Sequence, residues 1–207
     1  IIKRIKFNKN IFNKKRKNYL INSSILNKII KNKKFYKFNG LSIDSRKLKK
    51  NNLFLALKGK NNDGNKFISK AISKGAAYII SSNEIKKNKK NIMKLRNPLS
   101  FLNNFAKLKR QNCNTNILAI TGSTGKTSLK NILYSLLNNY GNTYASPKSY
   151  NNHVGVPLSL SNLNFEHQFG IFEVGMSKAG EVEKLSKLIN PDLAIITNIG
   201  EAHIENF

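Results

Sequence analysis

The stretch ILAITGSTGKTSLKNILYSLL runs from Ile117 to Leu137. It opens as an apolar run, which predicts a buried strand over residues 117–120. It then breaks into small residues, presents Lys126, and resumes with apolar positions at helical spacing, which predict a helix over 127–138. A glycine-rich turn between a strand and a helix suits an anion. Glycines let backbone amides turn inward, and the helix N-terminus adds a favourable dipole. Lys126 can reach terminal phosphates, and the Thr127 hydroxyl can ligate a divalent cation. The common Gly-x-x-x-x-Gly-Lys pattern would put its first glycine at position 120, which is Ile120. The loop is therefore a shorter variant that starts at Gly122.

Outward from this loop the chain alternates strands and helices. Downstream, NTYA predicts a short strand, VGVPLSLSNL a helix or turn interrupted by Pro157, 170–174 a strand, 179–189 a helix and 193–197 a strand. Upstream, FNGLSIDSRKLKKNNLFLALKG predicts strand, polar loop and strand, with the apolar run 53–57 as the buried one. An Asp-Gly turn follows, then a helix over about 65–74 stopped by Gly75, and a strand over 77–81. SSILNKIIKN predicts a helix with serine at its N-cap. NPLSFLNNFAKLKRQN predicts a linker helix, with a boundary near 110–115 before the new strand. This alternation predicts an α/β fold with parallel or mixed sheets.

Composition bounds the function. Hydrophobic residues make up 40% of the 207, enough for a packed core. The net charge of +27 invites a nucleic-acid or anionic-membrane partner. Against that, the lysines are scattered among Asn and Ile in a composition that AT-rich coding produces. No stripe of basic and aromatic residues forms, so no specific nucleic acid is expected beyond salt-sensitive attraction to polyanions. The single cysteine, Cys113, excludes an internal disulfide and a thiolate metal centre, and reads as an inert loop thiol. No apolar run reaches the roughly 18 residues that span a bilayer, and no signal-type core follows the basic N-terminus. A cytoplasmic protein without membrane insertion is expected. The chain opens on Ile1 and stops at Phe207 soon after an apolar run, which is the expectation for a fragment.

A nucleotide site that transfers a phosphoryl group needs ligands for its metal. Glu173 closes the apolar strand GIFEVG, where a carboxylate is costly without a cation or other partner. His203 follows LAIITNIGEAH, again just past a strand. Ligands collect at the carboxyl ends of strands in open α/β sheets, so the loop, Glu173 and His203 should converge.

With these residues assembled, the chain resembles the Mur ligase family. The resemblance rests on TGSTGKT, YNNHVGVPLSL, FEVGMSKAGEVEKL, PDLAIITNIGEAHIENF and the upstream LSIDSRKLKKNNLFLALKGKNNDGNKFISKAISKGAAYII, in that family's order. Within the family the chain is similar to the member that adds D-alanyl-D-alanine to UDP-N-acetylmuramoyl-tripeptide. The relative that adds the third amino acid usually has a threonine-rich segment in place of YNNHVGVP, and Ser-Ser-His after its glutamate. Residues 1–22 mix Lys, Asn and Ile without clean periodicity and read as a basic extension. The resemblance, over about 24–207, implies a small N-terminal α/β domain over 23–112 that binds the UDP-sugar, and a P-loop-type central domain over 113–207 with a mostly parallel sheet. That central domain would be incomplete and the C-terminal domain absent, with the family's metal-side lysine further on.

The resemblance also implies an ATP-dependent amide ligase of peptidoglycan precursor synthesis that works through an acyl phosphate. Its substrates would be UDP-N-acetylmuramoyl-tripeptide and D-alanyl-D-alanine, with ATP and Mg²⁺, and it would act as a monomer. Thr121, Gly122, Ser123, Thr124, Gly125, Lys126, Thr127, Ser128 and Asn198 would bind ATP. Lys126, Glu173 and His203 would be the catalytic groups. Thr127, Glu173 and His203 would hold metal. Asp44, Ser45, Arg46, Lys58 and Gly59 would line the uridine-diphosphate end, and Asn151 and Asn152 the muramoyl-peptide. Asn65 stands where relatives often have histidine and receives no role. Alternative readings are a basic nucleic-acid-binding protein with a degenerate nucleotide loop, the ligase adding the third amino acid, and a phosphate-loop kinase of another family.

Overall fold

The computed structural model describes residues 17–31, 35–59, 62–83, 91–148 and 150–200. The basic extension lies largely outside them. Helix α1 (Lys17–Ile29) leads into a sheet made of β1 (Leu41–Ser42), β2 (Leu53–Ala56), β3 (Tyr78–Ser81) and β4 (Ile92–Lys94). Its order is β1-β2-β3-β4 and every neighbouring pair is parallel. A 3-10 turn at Gly64–Phe67 and α2 (Ile68–Ser73) link β2 to β3, and Gly75 ends the helix at φ 75°. Strand β4 was not expected. It is three residues long with only Met93 buried, so it carries little apolar signal.

β2 is apolar throughout because both its faces are covered. Leu53 and Leu55 face a core with Ile25 and Leu26 of α1, Phe38 and Ile80. Phe54 and Ala56 face a second core with Ile68 and Ala71 of α2 and Ile79. The alternation follows from the period of two along a strand.

Helix α3 (Pro98–Gln111) crosses to a second parallel sheet of β5 (Asn116–Thr121), β6 (Thr143–Ala145), β7 (Phe169–Glu173) and β8 (Leu193–Ile196) in the order β6-β7-β5-β8. The interleaved helices are α4 (Lys126–Asn138), α5 (Gly155–Ser161) and α6 (Glu181–Ile189). Two expectations are corrected here. α3 is more than a linker: Phe101, Leu102 and Phe105 enter the first core while Ala106 enters the core under the second sheet. Pro157 does not interrupt α5. It occupies the first turn, where no intrahelical N–H is needed.

α5 and α6 pack with Ile117, Ala119, Phe172 and Val174 on one face of the second sheet. α4 packs on the other, against β6 and β7. The helix leaving β5 and the helix leaving β7 therefore lie on opposite faces, so a crevice opens at the carboxyl ends of these adjacent strands. The two sheets are joined by Asn162, just past α5. Its Oδ1 accepts from Leu41 N at 2.9 Å and its Nδ2 donates to Leu41 O at 3.0 Å, as a neighbouring strand would. Residue 40 must be glycine for this, since a Cβ there would stand 2.4 Å from Asn162 Oδ1.

Cys113 is buried as expected of an inert thiol, and burial pushes its pKa up to about 11. No helix among the described residues is long and apolar enough to cross a membrane.

Two predictions follow from the packing. Phe105→Ala removes a fully buried ring between Phe38 and Phe101, and should destabilise the chain by about 3–5 kcal/mol in urea unfolding. An unchanged midpoint would contradict the shared core. The second concerns His167, whose Nδ1 accepts from Asn164 N at 2.9 Å. Burial first, then the nearby Lys109 charge, lower its pKa from 6.5 to about 4. The folded state then binds fewer protons than the unfolded state, so this stability is present above pH 6.5 and is lost as pH falls toward 4. Melting temperatures should drop over that window, and His167→Gln should flatten the drop.

Candidate functional site

β5 ends at Thr121 and the loop turns at once. Gly122 has φ 130° and Gly125, the N-cap of α4, has φ 77°. Both values suit glycine. At Gly122 the constraint is also steric, because a Cβ would stand 2.2 Å from Thr197 Oγ1.

The segment after β8 straps this loop down. Thr197 N donates to Thr121 O at 2.9 Å, and its hydroxyl donates to Thr124 O at 2.6 Å. Asn198 accepts from Thr124 N on Oδ1 at 2.9 Å and donates from Nδ2 to Thr124 Oγ1 at 2.8 Å. Ser123 exchanges hydrogen bonds with Gly200 at 3.0 and 2.9 Å. Asn198 thus stands against the loop, and Thr197 joins it unforeseen. By itself Thr197 reads only as the end of a strand, since its partners on the loop are 73 and more residues away.

The first-turn amides of α4 lack intrahelical acceptors and face the positive end of the helix dipole. Lys126 Nζ donates to Gly122 O at 2.6 Å and to Ser123 O at 3.0 Å, so its ammonium lies across the loop. Ser128 sits exposed in the same turn.

Glu173 closes β7 beside Ile120 of β5 and is 2% exposed. Its Oε2 accepts from Thr127 Oγ1 at 2.8 Å and from Lys130 Nζ at 3.2 Å, and its Oε1 accepts from Asn151 Nδ2 at 2.8 Å. Burial works to raise its pKa. The hydrogen bonds from Thr127, Asn151 and Lys130, and the Lys130 charge, outweigh burial and hold it below the usual carboxylate value. Lys130 is itself 2% exposed and also donates to Lys148 O. Sequence reasoning passed over it. The available signal was its spacing of three from Thr127, which puts both on one face of α4.

Thr127 and Glu173 supply hard oxygen donors of the kind that Mg²⁺ takes. No cluster of three or more His, Cys, Asp or Glu suited to a metal occurs among the described residues. His203 lies outside them.

Two cavities meet at the segment that carries Asn151. One, of about 450 Å³, is lined by Gly122, Lys126, Asn151, Asn152, Glu181 and Asn198. The other, of about 680 Å³, gathers Asp44, Ser45, Arg46, Lys58 and Gly59, with Tyr150 on its wall. The segment at 150–154 serves both, since Tyr150, His153 and Val154 face the second while Asn151 and Asn152 face the first.

Some candidate residues also have local work. Asp44 Oδ1 accepts from Arg46 N at 2.9 Å and the carboxylate pairs with the guanidinium at 3.0 Å, which holds its pKa down. Asn152 Oδ1 accepts from Val154 N and Gly155 N just ahead of α5. Asn65 bonds Asp63 Oδ1 and accepts from Ser81 Oγ at 2.7 Å, tying the turn before α2 to the end of β3.

Comparison with known proteins bears on this arrangement. A model of the Mur ligase middle domain matches residues 120–207, and a model described as Mur ligase family, catalytic domain, matches 37–110. The UDP-N-acetylmuramoyl-tripeptide–D-alanyl-D-alanine ligase of Rickettsia prowazekii is 39% identical over 170 residues, covering 82% of this chain and 38% of that protein. The ligase of the same name from Bacillus subtilis is 34% identical, covering 81% of this chain and 37% of that protein. Among solved structures, MurF from Acinetobacter baumannii superposes with a TM-score of 0.77 at 30% identity, over 89% of this chain and 42% of that one. MurF from Thermotoga maritima in complex with ADP superposes at 0.68 and 32% identity, over 80% of this chain and 39% of that one. The chain thus spans well under half the length of the curated relatives it matches.

The strapped loop yields a direct test. Gly122→Ala should destabilise the chain by about 1–3 kcal/mol and speed hydrogen exchange at the Ser123 and Thr124 amides. Unchanged exchange there would show that the strap does not depend on this glycine.

Proposed function

The chain belongs to the Mur ligase family, and from that premise we propose that it is part of a MurF-type enzyme, joining D-alanyl-D-alanine to UDP-N-acetylmuramoyl-tripeptide at the expense of ATP. One observation carries the reading. The Lys126 loop, the Glu173 carboxylate and the Asn151 segment meet at one crevice, beside a second cavity built from Asp44–Arg46 and Lys58–Gly59. A phosphate donor on one side and an anionic sugar nucleotide on the other would bring their reacting ends together near Asn151.

In this reading residues 23–112 bind the UDP-sugar and 113–207 bind the nucleotide. The tripeptide's terminal carboxylate attacks the γ-phosphorus of ATP, ADP leaves, and an acyl phosphate forms. The dipeptide's amine then attacks the acyl carbon and expels inorganic phosphate. Lys126 and the first-turn amides of α4 offset charge on the transferring group. Thr127 and Glu173 would hold Mg²⁺, with His203 at a second ion, and Mg²⁺ would supply further charge stabilisation there. Asn151 orients the Glu173 carboxylate through its amide. Arg46 and Lys58 supply cationic groups for the diphosphate. The protein acts in the cytoplasm as a monomer and takes no specific nucleic acid.

Lys126→Ala, in a ligation-competent enzyme carrying this chain, should abolish ATP-dependent phosphate release. Calorimetric affinity for UDP-N-acetylmuramoyl-tripeptide should stay the same, and should survive moderate salt as a polyanion contact would not. Unaltered turnover would remove the loop from the mechanism. Loss of UDP-substrate affinity would place Lys126 at the other cavity.

A further inference from the structure

The ion pair between Lys130 and Glu173 has no part in the chemistry above. Both side chains are 2% exposed, and Nζ stands 3.2 Å from Oε2. Lys130 is anchored a second time on the Lys148 carbonyl, so its ammonium is held from two sides. The carboxylate is almost fully engaged. A carboxylate offers about four lone-pair sites, and Thr127, Lys130 and Asn151 occupy three of them.

Charge decides what this carboxylate accepts next. A bare divalent cation on Glu173 and Thr127 would sit against the Lys130 ammonium. One turn back on α4 it would also meet Lys126, whose Nζ lies on the loop at Gly122 and Ser123. Repulsion between like charges is strong where water is excluded. A triphosphate changes the balance, since its negative charge offsets both lysines and the metal together. We propose that Lys130 is the resident counter-ion of Glu173, so that the site takes a divalent cation with the nucleotide and not before it. This rests on the reading of Thr127 and Glu173 as metal ligands. Lys130 is a positioning residue that sets the order of metal entry, and it also ties the carboxylate to the segment that carries Asn151.

The test follows Mn²⁺ binding to a ligation-competent enzyme carrying this chain by electron paramagnetic resonance, with and without ATP. Lys130→Gln keeps a donor for Lys148 O and removes the charge, while Lys130→Arg keeps the charge. Without ATP, the parent and Lys130→Arg should bind Mn²⁺ weakly, and Lys130→Gln at least tenfold more tightly. A merely structural lysine would give no such gain. With ATP present, all three should take up the Mn²⁺–nucleotide complex. Should Lys130→Gln fail to fold, Lys130→Met carries the same comparison. Equal Mn²⁺ affinity of the parent and the uncharged variant without ATP, tight or weak, overturns the inference while uptake of Mn²⁺–ATP leaves the ligase reading standing. Failure of every form to take up Mn²⁺–ATP overturns the ligand assignment itself, and the inference with it.

Discussion

Glu173 carries a charge into a place that water does not reach, and much of the site is arranged around that fact. A lone buried carboxylate is costly, so its strand end is acceptable only where donors surround it. They come from three parts of the chain: the first turn of α4 through Thr127, its second turn through Lys130, and the segment before α5 through Asn151. Satisfying one carboxylate thereby fixes how α4 lies over β7 and where Lys148 and Asn151 lie. The phosphate-type loop and the neighbouring cavity inherit their positions from the same contacts.

The second constraint is that the two sheets share helices between their cores. α3 sends its rings into one hydrophobic cluster and Ala106 into another, while Leu158 of α5 packs with the first sheet. Asn162 completes the edge of β1 with a side chain from the second half. The segment at 150–154, which borders both cavities, lies just ahead of α5. Its placement depends on this shared packing and on the Asn152 bond to Gly155 N.

Much of the fold was legible because its signals are local. Apolar runs marked β2, β5 and β7, periodic apolar spacing marked α4 and α6, and Gly75 marked a helix stop. Elsewhere the signals are weak or non-local. β4 has one buried residue and no alternation to detect. Pro157 looked like a breaker because the start of α5 is set by the Asn152 side chain and not by a run of helix formers. α3 looked like a linker because its apolar stripe says that it is buried without saying against what.

The same division runs through the site. The residues from Thr121 to Ser128 announced an anion-binding turn by themselves, because glycine freedom, one lysine and a following helix are properties of neighbouring residues. Glu173 declared itself as a charge closing an apolar strand. The sequence could not disclose Lys130 as its partner, Thr197 as the clamp on Gly122, or Asn152 as the acceptor for the amides that open α5. Lys130 and Glu173 are 43 residues apart, and Lys130 alone resembles any surface charge. Local preference and periodicity determined the elements. Which buried charge meets which was decided only when packing removed the water that would otherwise have answered for both.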